Sequence, residues 1–547
     1  MSRGFLFQIL QKLIIHRDSI SLREDVSIQE PHMLNCIYKL AVLILLMGSV
    51  QGATISVNPG EIIQAAINAA GPGDTILVQN GTYYENVNVT KRLTLKGVGM
   101  PTVDAGDKGD AITLFADGVI LEGFEATNSS YTLEAGIKIN SSNNTVRNNV
   151  VSHNNGTGIF VWIASRNNSI INNVVSHNNK SGIFLWNSSY SAISGNTASF
   201  NKWNGIRLMD FCSNNTINRN KVHHNEMHGV SIESSRNNKI TENDASYNEL
   251  DGVLLEDSPK NTIEGNNAYH NAKNGIRMLN SSQSKVVKNK AKDNRWGIFL
   301  HESGNSTAEG NIASNNNCGI DLSHSRNSTM RRNLMSDNRY NFRADEANDV
   351  DISNLVDGKP IYYLVGISDR IIDSPVDAGT VYCIDCNNVT VEGQNLTNNI
   401  YGIYFRNTSN SRAEDNQISN NWNGIFLEGS SSNVLAANDA SENENGVYLN
   451  TSDKNSLVSN RATNNSYGIV LCSSRDNAVT SNLASVNFVG IDLYDASDNN
   501  FVEGNSATNN GVGIHLNFSS KNTVIDNNAS ESEHIGIYLV RGSSENN

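Results

Sequence analysis

Gly182-Ile183-Phe184-Leu185 is followed by Ser188-Ser189, a small run ending at Asn196, then Asn201, and at Gly205 the phrase begins again. Its anchoring glycines are Gly136, Gly158, Gly182, Gly205, Gly229, Gly252, Gly275, Gly297 and Gly319. After a break the series resumes at Gly402, Gly424, Gly446, Gly468, Gly490, Gly513 and Gly536, and every step within a block is 22 to 24 residues. A fixed period of that size is the mark of a solenoid.

The chemistry of the phrase says which solenoid. Each glycine opens an apolar–variable–apolar triplet, as in Ile206-Arg207-Leu208 and Val230-Ser231-Ile232. Alternation of period two is a strand with one buried face. A second short apolar phrase follows, such as Thr216-Ile217 or Thr262-Ile263, and the links between are Asn, Ser and Gly, which form turns. Neither phrase is long enough for a helix.

Two asparagine columns run through the repeats. One includes Asn173, Asn196, Asn220, Asn243 and Asn266; the other includes Asn178, Asn201, Asn225 and Asn248. Asn tolerates left-handed corners, and its amide can bond to the same amide one coil away. The expected fold is all-β, a parallel β-helix with strands about 4.8 Å apart.

The totals agree. A chain of 547 residues is too long for one compact globule, whereas a solenoid has no such limit. Only seven residues are proline, as expected where nearly every strand donates to both neighbours. The net charge of −14 argues against a nucleic-acid partner. An anionic glycan would need a local basic patch or a bridging cation. Of six cysteines, Cys36 lies in the leader, and the odd remainder at irregular spacing is no disulfide framework. Cys383 and Cys386 form a C-x-x-C, but on a strand they would face opposite sides.

Residues 1–52 read as a leader. From Met33 the text changes: Lys39, an apolar run from Leu40 to Met47, and the small-residue site Val50-Gln51-Gly52 make a secretory signal peptide over 33–52. Translation is expected to start at Met33, and the apolar run is short for a spanning helix, so no stable membrane span is expected after cleavage. Residues 53–135 are expected to hold a cap, with a short helix over Pro59–Ala70, and the first coils. The first block of coils is placed at 136–345, an insertion or side hairpin at 346–400, and the second block at 401–547. No cap is visible at the end.

The run from Ile62-Ile63-Gln64-Ala65-Ala66-Ile67 through Gly73-Asp74-Thr75-Ile76 to Gly81-Thr82-Tyr83 and Leu95-Lys96-Gly97 resembles the start of pectin-lyase-like β-helix proteins. Within them it is most similar to the NosD and carbohydrate-binding and sugar-hydrolysis (CASH) group. Asp357-Gly358-Lys359-Pro360-Ile361-Tyr362-Tyr363, followed by Ala378-Gly379-Thr380-Val381-Tyr382 and Cys386-Asn387-Asn388-Val389-Thr390-Val391, resembles the NosD signature. The resemblance implies a right-handed winding and export to the cell surface or a periplasm-equivalent space. It also implies a role in maturing a copper enzyme, which transfers weakly, because similar repeat chains are common as archaeal surface proteins.

Three chemistries are open on the outer surface. The middle residue of each triplet points outward, and stacking turns these into columns. Phe160, Trp162, Phe184, Trp186, Phe299, Tyr404, Phe426 and Tyr448 are the expected glycan-binding aromatics, since sugar rings pack on exposed aromatic faces. The competing reading is that such rings simply stabilise neighbouring coils. Asp210, Glu233, Glu256 and Asp257 fall on successive coils between Arg207 and Arg277. Glu233 and Glu256 would sit about 5 Å apart, and close oxygen ligands suit calcium. Polyuronate lyases on such a fold use stacked acids for calcium and an arginine as base, so Arg207 and Arg277 are the candidate catalytic residues. The plainer alternative is an acidic surface with both arginines as ion-pair partners. A copper reading needs His, Met or Cys, and its candidates are His153 and His177, adjacent members of a column with His224 and His270. That column also reads as a plain stack of flat rings. The leading expectation is a glycan-binding surface protein, partnered by a polysaccharide or by other envelope proteins, with calcium or copper as the cofactors to test. A copper-handling accessory protein and a polysaccharide lyase, epimerase or hydrolase are the rivals.

Overall fold

The computed structural model describes residues 52–373, 377–540 and 542–547. The leader and its expected signal peptide therefore lie, but for Gly52, outside the described residues. No helix among the described residues is long and apolar enough to cross a membrane. The chain winds as a right-handed parallel β-helix of about 22 turns.

Each coil lays down strands on three faces. In the coil opened by Gly229, Val230–Glu233 lies on the first face, Lys239–Thr241 on the second and Asp244–Ser246 on the third. Every face stacks in register on the next coil: Val230 on Val253, Ile240 on Ile263, Ala245 on Ala268. Register is set because one side of each strand is apolar, and a one-residue slip would turn that side outward. Ile206, Leu208, Cys212, Ile217 and Val222 of one coil are all fully buried in the tube.

The asparagine columns are ladders. Asn220 accepts from the backbone N–H of Asn196 at 2.9 Å, while its own Nδ2 donates to Ile193 O and to Asn243 Oδ1, both at 2.9 Å. The second column repeats the arrangement from Asn154 through Asn338. A third, which the sequence reading did not single out, mixes Asn215, Asn238 and Asn261 with Ser284, Ser306 and Ser328. The residue before an inward Asn takes a left-handed conformation that turns the corner, as Arg219 (φ 53°) and His224 (φ 54°) do. The anchoring glycines serve a different end. A Cβ at Gly229 would lie 2.6 Å from Gly252 O and 2.8 Å from Asn248 Nδ2, so the column is kept bare by the close approach of the ladder.

The capping helix is Ile63–Ala69, shorter than expected because Gly60 (φ 91°) still belongs to the preceding turn. Ile63 and Ile67 seal the end of the tube. Glu85 accepts from the N–H groups of Ile63 (2.8 Å) and Gln64 (3.0 Å), and Lys91 donates to the carbonyls of Asn68 and Ala70 (both 2.8 Å). Charges of these signs at these ends complement the helix dipole.

The side hairpin expected over 346–400 takes a different form. Leu355–Val356 pairs antiparallel with Lys359–Pro360 across the two-residue turn Asp357-Gly358 (φ 49° and 83°). Positive φ at both central residues is the hairpin geometry that matches strand twist. The chain then touches the first stack again only locally, where Asn341 N–H donates to Asn398 O at 2.6 Å and Ile400 N–H to Phe342 O at 3.3 Å. Lys359–Val365 pairs in parallel with Thr380–Ile384, which pairs with Tyr401–Arg406, so these strands begin the first face of a second stack. The apolar interior correspondingly splits into two clusters.

Cys383 and Cys386 do not face opposite sides. Asp385 (φ 55°) turns a corner between them, and both thiols point into the second core cluster. Cys386 Sγ donates to Ile384 O at 3.4 Å and to Leu364 O at 3.6 Å. The neighbouring Cys383 thiol draws the Cys386 thiol down to about 7 against the opposing effect of burial, while burial pushes Cys383 well up.

Candidate functional site

The outward surface of the first face carries the chemistry. Along the first stack it opens with aromatics. Phe160 stacks on Phe184 at 4.8 Å, and Trp162 meets Trp186 edge-on at 5.4 Å. The Arg207 guanidinium lies 5.5 Å over Phe184, and Lys138 Nζ 5.0 Å over Trp162. Trp162, Phe184, Trp186 and Phe299 are half-buried and present part of a ring to solvent. Phe160 is closed off by Phe184 and Trp162 and is only 1% exposed, so it offers no face to a ligand.

Beyond the aromatics lies a polar tract. Arg207 grips Glu233 through Nε (3.0 Å) and Nη2 (2.5 Å), and Ser231 Oγ adds 2.7 Å. Burial alone would raise the Glu233 carboxyl, but these partners hold it below the ordinary range. The four-acid calcium patch is therefore not assembled. Glu233 stands beside Glu256 in register but turns back to Arg207. Asp210 accepts from Trp186 Nε1 at 3.0 Å, and Asp257 from Asn280 at 2.8 Å. Glu256 is exposed.

Three residues that the sequence reading passed over sit one position before the glycines: His228, Asp251 and Asn274. Asp251 is wholly buried, and its Oδ1 accepts from the Asn274 backbone (3.0 Å) and side chain (2.5 Å). Its Oδ2 lies 3.2 Å from His228 Nδ1 and 3.8 Å from Arg277 Nη1, yet makes no aligned hydrogen bond. The reason is visible: His228 Nδ1 already accepts from the Asp251 N–H at 3.3 Å. Asn274 Oδ1 and Arg277 Nε beside it also lack a partner within the protein. Writing out the residue before each glycine as its own column would have exposed this cluster.

On the second stack the expected aromatics part company. Tyr404 is fully buried and Phe426 is 8% exposed, because both join the apolar cluster that continues from the first stack. Tyr382 lies 5.3 Å from Phe342 and 5.6 Å from Tyr404, and Tyr404 stacks on Phe426 at 5.4 Å. Arg406 reaches Glu346 at 3.3 Å across the same junction. These rings are structural. Tyr448, two coils beyond Tyr404, is half-buried and borders a cavity.

His153 and His177 belong to a ring column at a corner. It runs His153, His177, Phe200, His224, Tyr247 and His270, with neighbouring centroids 4.9–5.2 Å apart. The His153 and His177 planes are within 5° of parallel. Their nitrogens point side by side rather than toward one ion, and Phe and Tyr serve equally well in the column. A groove of about 520 Å³ runs along it, but the ring faces are occupied by one another. Within the column His224 Nδ1 also lies 2.9 Å from Nδ1 of its neighbour His223, a contact of two nitrogens alone. Among the described residues no group of three or more His, Cys, Asp or Glu is placed to hold a metal.

The fold and this surface define a parallel β-helix repeat protein with one decorated face. The chain belongs to the NosD family, described as periplasmic copper-binding protein (NosD), whose model matches residues 67–244, 182–295, 208–363, 348–502 and 493–547. No curated protein matches. Among solved structures the chain is similar to a PL6 family alginate lyase, AlyGC, at 12% identity over 90% of this chain and all of that one (TM-score 0.38). It is similar to the pectate lyase Pel9A at 16% identity over 56% and 81% (TM-score 0.34). The periplasmic alginate epimerase AlgG matches at 16% identity over 55% and 82% (TM-score 0.33). The family description names copper; among the described residues the parallel rings of His153 and His177 stack face to face, and the one close pair of imidazole nitrogens is that of His223 and His224.

Proposed function

We propose that this is an exported protein of the cell surface or a periplasm-equivalent space, and that the outward first face of its first stack binds a polysaccharide or surface glycan. One observation carries the reading. Trp162, Phe184, Trp186 and Phe299 each present part of a ring to solvent along this face, with Lys138 and Arg207 over Trp162 and Phe184. Half-exposed rings beside fixed polar side chains suit a ligand with many hydroxyls and a flat apolar face.

The same geometry favours binding over turnover. Arg207 is committed to Glu233, so it is not free to act as a base. The test is affinity capture on a panel of neutral and acidic polysaccharides, with and without calcium, followed by an assay for new chain ends. Capture that survives a chelator and releases no ends is expected. Failure to bind any member of the panel would sink the reading, and calcium-dependent new ends would replace it with an enzyme.

A further inference from the structure

The second stack has a site of its own. Tyr448, Tyr467, Asp492, Tyr494, His515 and Asn517 border a cavity of about 410 Å³ on its outward first face. Tyr494 leans back across the intervening coil so that its hydroxyl meets that of Tyr448 at 2.8 Å, over the buried side chain of Val470. Asp492 Oδ1 holds His515 Nδ1 at 2.9 Å, and Tyr538 stacks on the His515 ring at 5.4 Å. Each of these polar groups spends one atom on its neighbour. That leaves Asp492 Oδ2, His515 Nε2 and the remaining hydrogen-bonding capacity of the two hydroxyls for something else. Asn517 Oδ1 is shut from solvent with no partner within the protein.

We infer that this cavity is a binding site for a neutral glycosyl unit. The floor is pre-organised, since the Tyr448–Tyr494 and Asp492–His515 pairs fix hydroxyl, carboxylate and imidazole before any ligand arrives. Tyr467 supplies an aromatic wall, and a wall of that kind with a few fixed polar groups is how sugars are oriented. The charge selects the class of sugar. No Lys or Arg borders the cavity, and Asp492 sits in its floor, so a uronate or sulfated unit would meet a like charge without a partner. The tract on the first stack, with Arg207, Arg277 and Arg343, has the opposite character. The site rests on separate residues and stands whether or not that tract binds glycan.

The experiment is calorimetric titration of the full chain with cellohexaose, mannohexaose and hexagalacturonate. The variants are Asp492→Asn, Tyr494→Phe and, as a surface control far from both tracts, Tyr84→Ala, each checked for an unchanged β spectrum. Binding of at least one neutral hexaose is expected, weakened at least tenfold by Asp492→Asn and by Tyr494→Phe and unchanged by Tyr84→Ala. The inference is overturned if neither neutral hexaose binds, or if both second-stack variants bind as the parent does. It is equally overturned if hexagalacturonate is the ligand those variants lose.

Discussion

The amide of Asn220 donates to the side-chain oxygen of Asn243 one coil further on, at 2.9 Å, and both residues are sealed from water. The same amide also holds the carbonyl of Ile193. Asn220→Ala would leave that carbonyl, the Asn196 N–H and part of Asn243 without partners. Unpartnered buried groups cost about 1–3 kcal/mol each, so a loss of several kcal/mol is expected. A repeat array does not unfold as one unit, so the check is hydrogen exchange. Faster exchange confined to coils within residues 170–270 is the expected outcome, and uniform exchange across the stack would refute it.

Gly229 stands under the same ladder. A Cβ there would press on Gly252 O at 2.6 Å and Asn248 Nδ2 at 2.8 Å, and the first of these is backbone that has no room to yield. Gly229→Ala is expected to destabilise by about 1–3 kcal/mol, as overpacking does. Lys290→Ala, at an exposed position two coils further on, serves as the comparison in thermal unfolding.

The junction of the two stacks depends on Tyr382, which is wholly buried among Phe342, Tyr363 and Tyr404. Tyr382→Ala removes a large buried ring, which costs about 3–5 kcal/mol in other cores. Limited proteolysis should then cut first between residues 345 and 380. Unchanged cleavage would mean that the hairpin alone holds the stacks together.

Stability should also depend on pH through Asp110. Burial and a hydrogen bond shared with Glu134 push its carboxyl up to about 7, with Lys138 opposing. The folded state therefore holds a proton that the unfolded chain releases near pH 4. The stability from that proton is complete below about 4 and is lost as the pH rises through about 7. Asp321, pushed up to about 6 chiefly by burial, acts in the same direction. Asp110→Asn should flatten the decline in melting temperature between pH 4 and 8. An equally steep decline in the variant would show that other groups set it.

On the first-stack surface, Trp186→Ala removes a half-exposed ring and frees the Asp210 carboxylate that its indole N–H holds at 3.0 Å. Glycan retention on an affinity column should fall by tenfold or more, because stacking rings dominate such contacts. Phe160→Leu should leave retention unchanged, since that ring is covered by its neighbours. Equal losses from both variants would point to a structural effect.

The sequence made the coil readable because each coil repeats the same demands. Glycine recurs where Gly252 O crowds Gly229, and asparagine recurs where Asn220 and Asn243 must bond. Coverage of the outward columns was not readable. Tyr404 and Tyr448 occupy equivalent positions in their coils, yet Tyr404 is walled in by Tyr382, Tyr401 and Phe426 while Tyr448 lies at the margin of that cluster. That difference comes from the reversal at Asp357-Gly358, which periodicity does not encode. The Asp251 cluster was hidden for another reason. It lies in a column whose members change chemistry from Asn204 to His228 to Asp251, so no pattern draws attention to it.

The antiparallel turn at Asp357-Gly358 also bears on how the chain is made. A coil can be laid only on a finished coil, so a stack extends from a template, one neighbour at a time. Turning back after Val356 replaces that continuous template with a few bonds, from Asn341 N–H to Asn398 O and from Ile400 N–H to Phe342 O, and with the ring cluster of Tyr363, Tyr382 and Tyr404 set against Phe342. The second run of coils thus starts from a side-chain nucleus rather than from a full row of strand bonds.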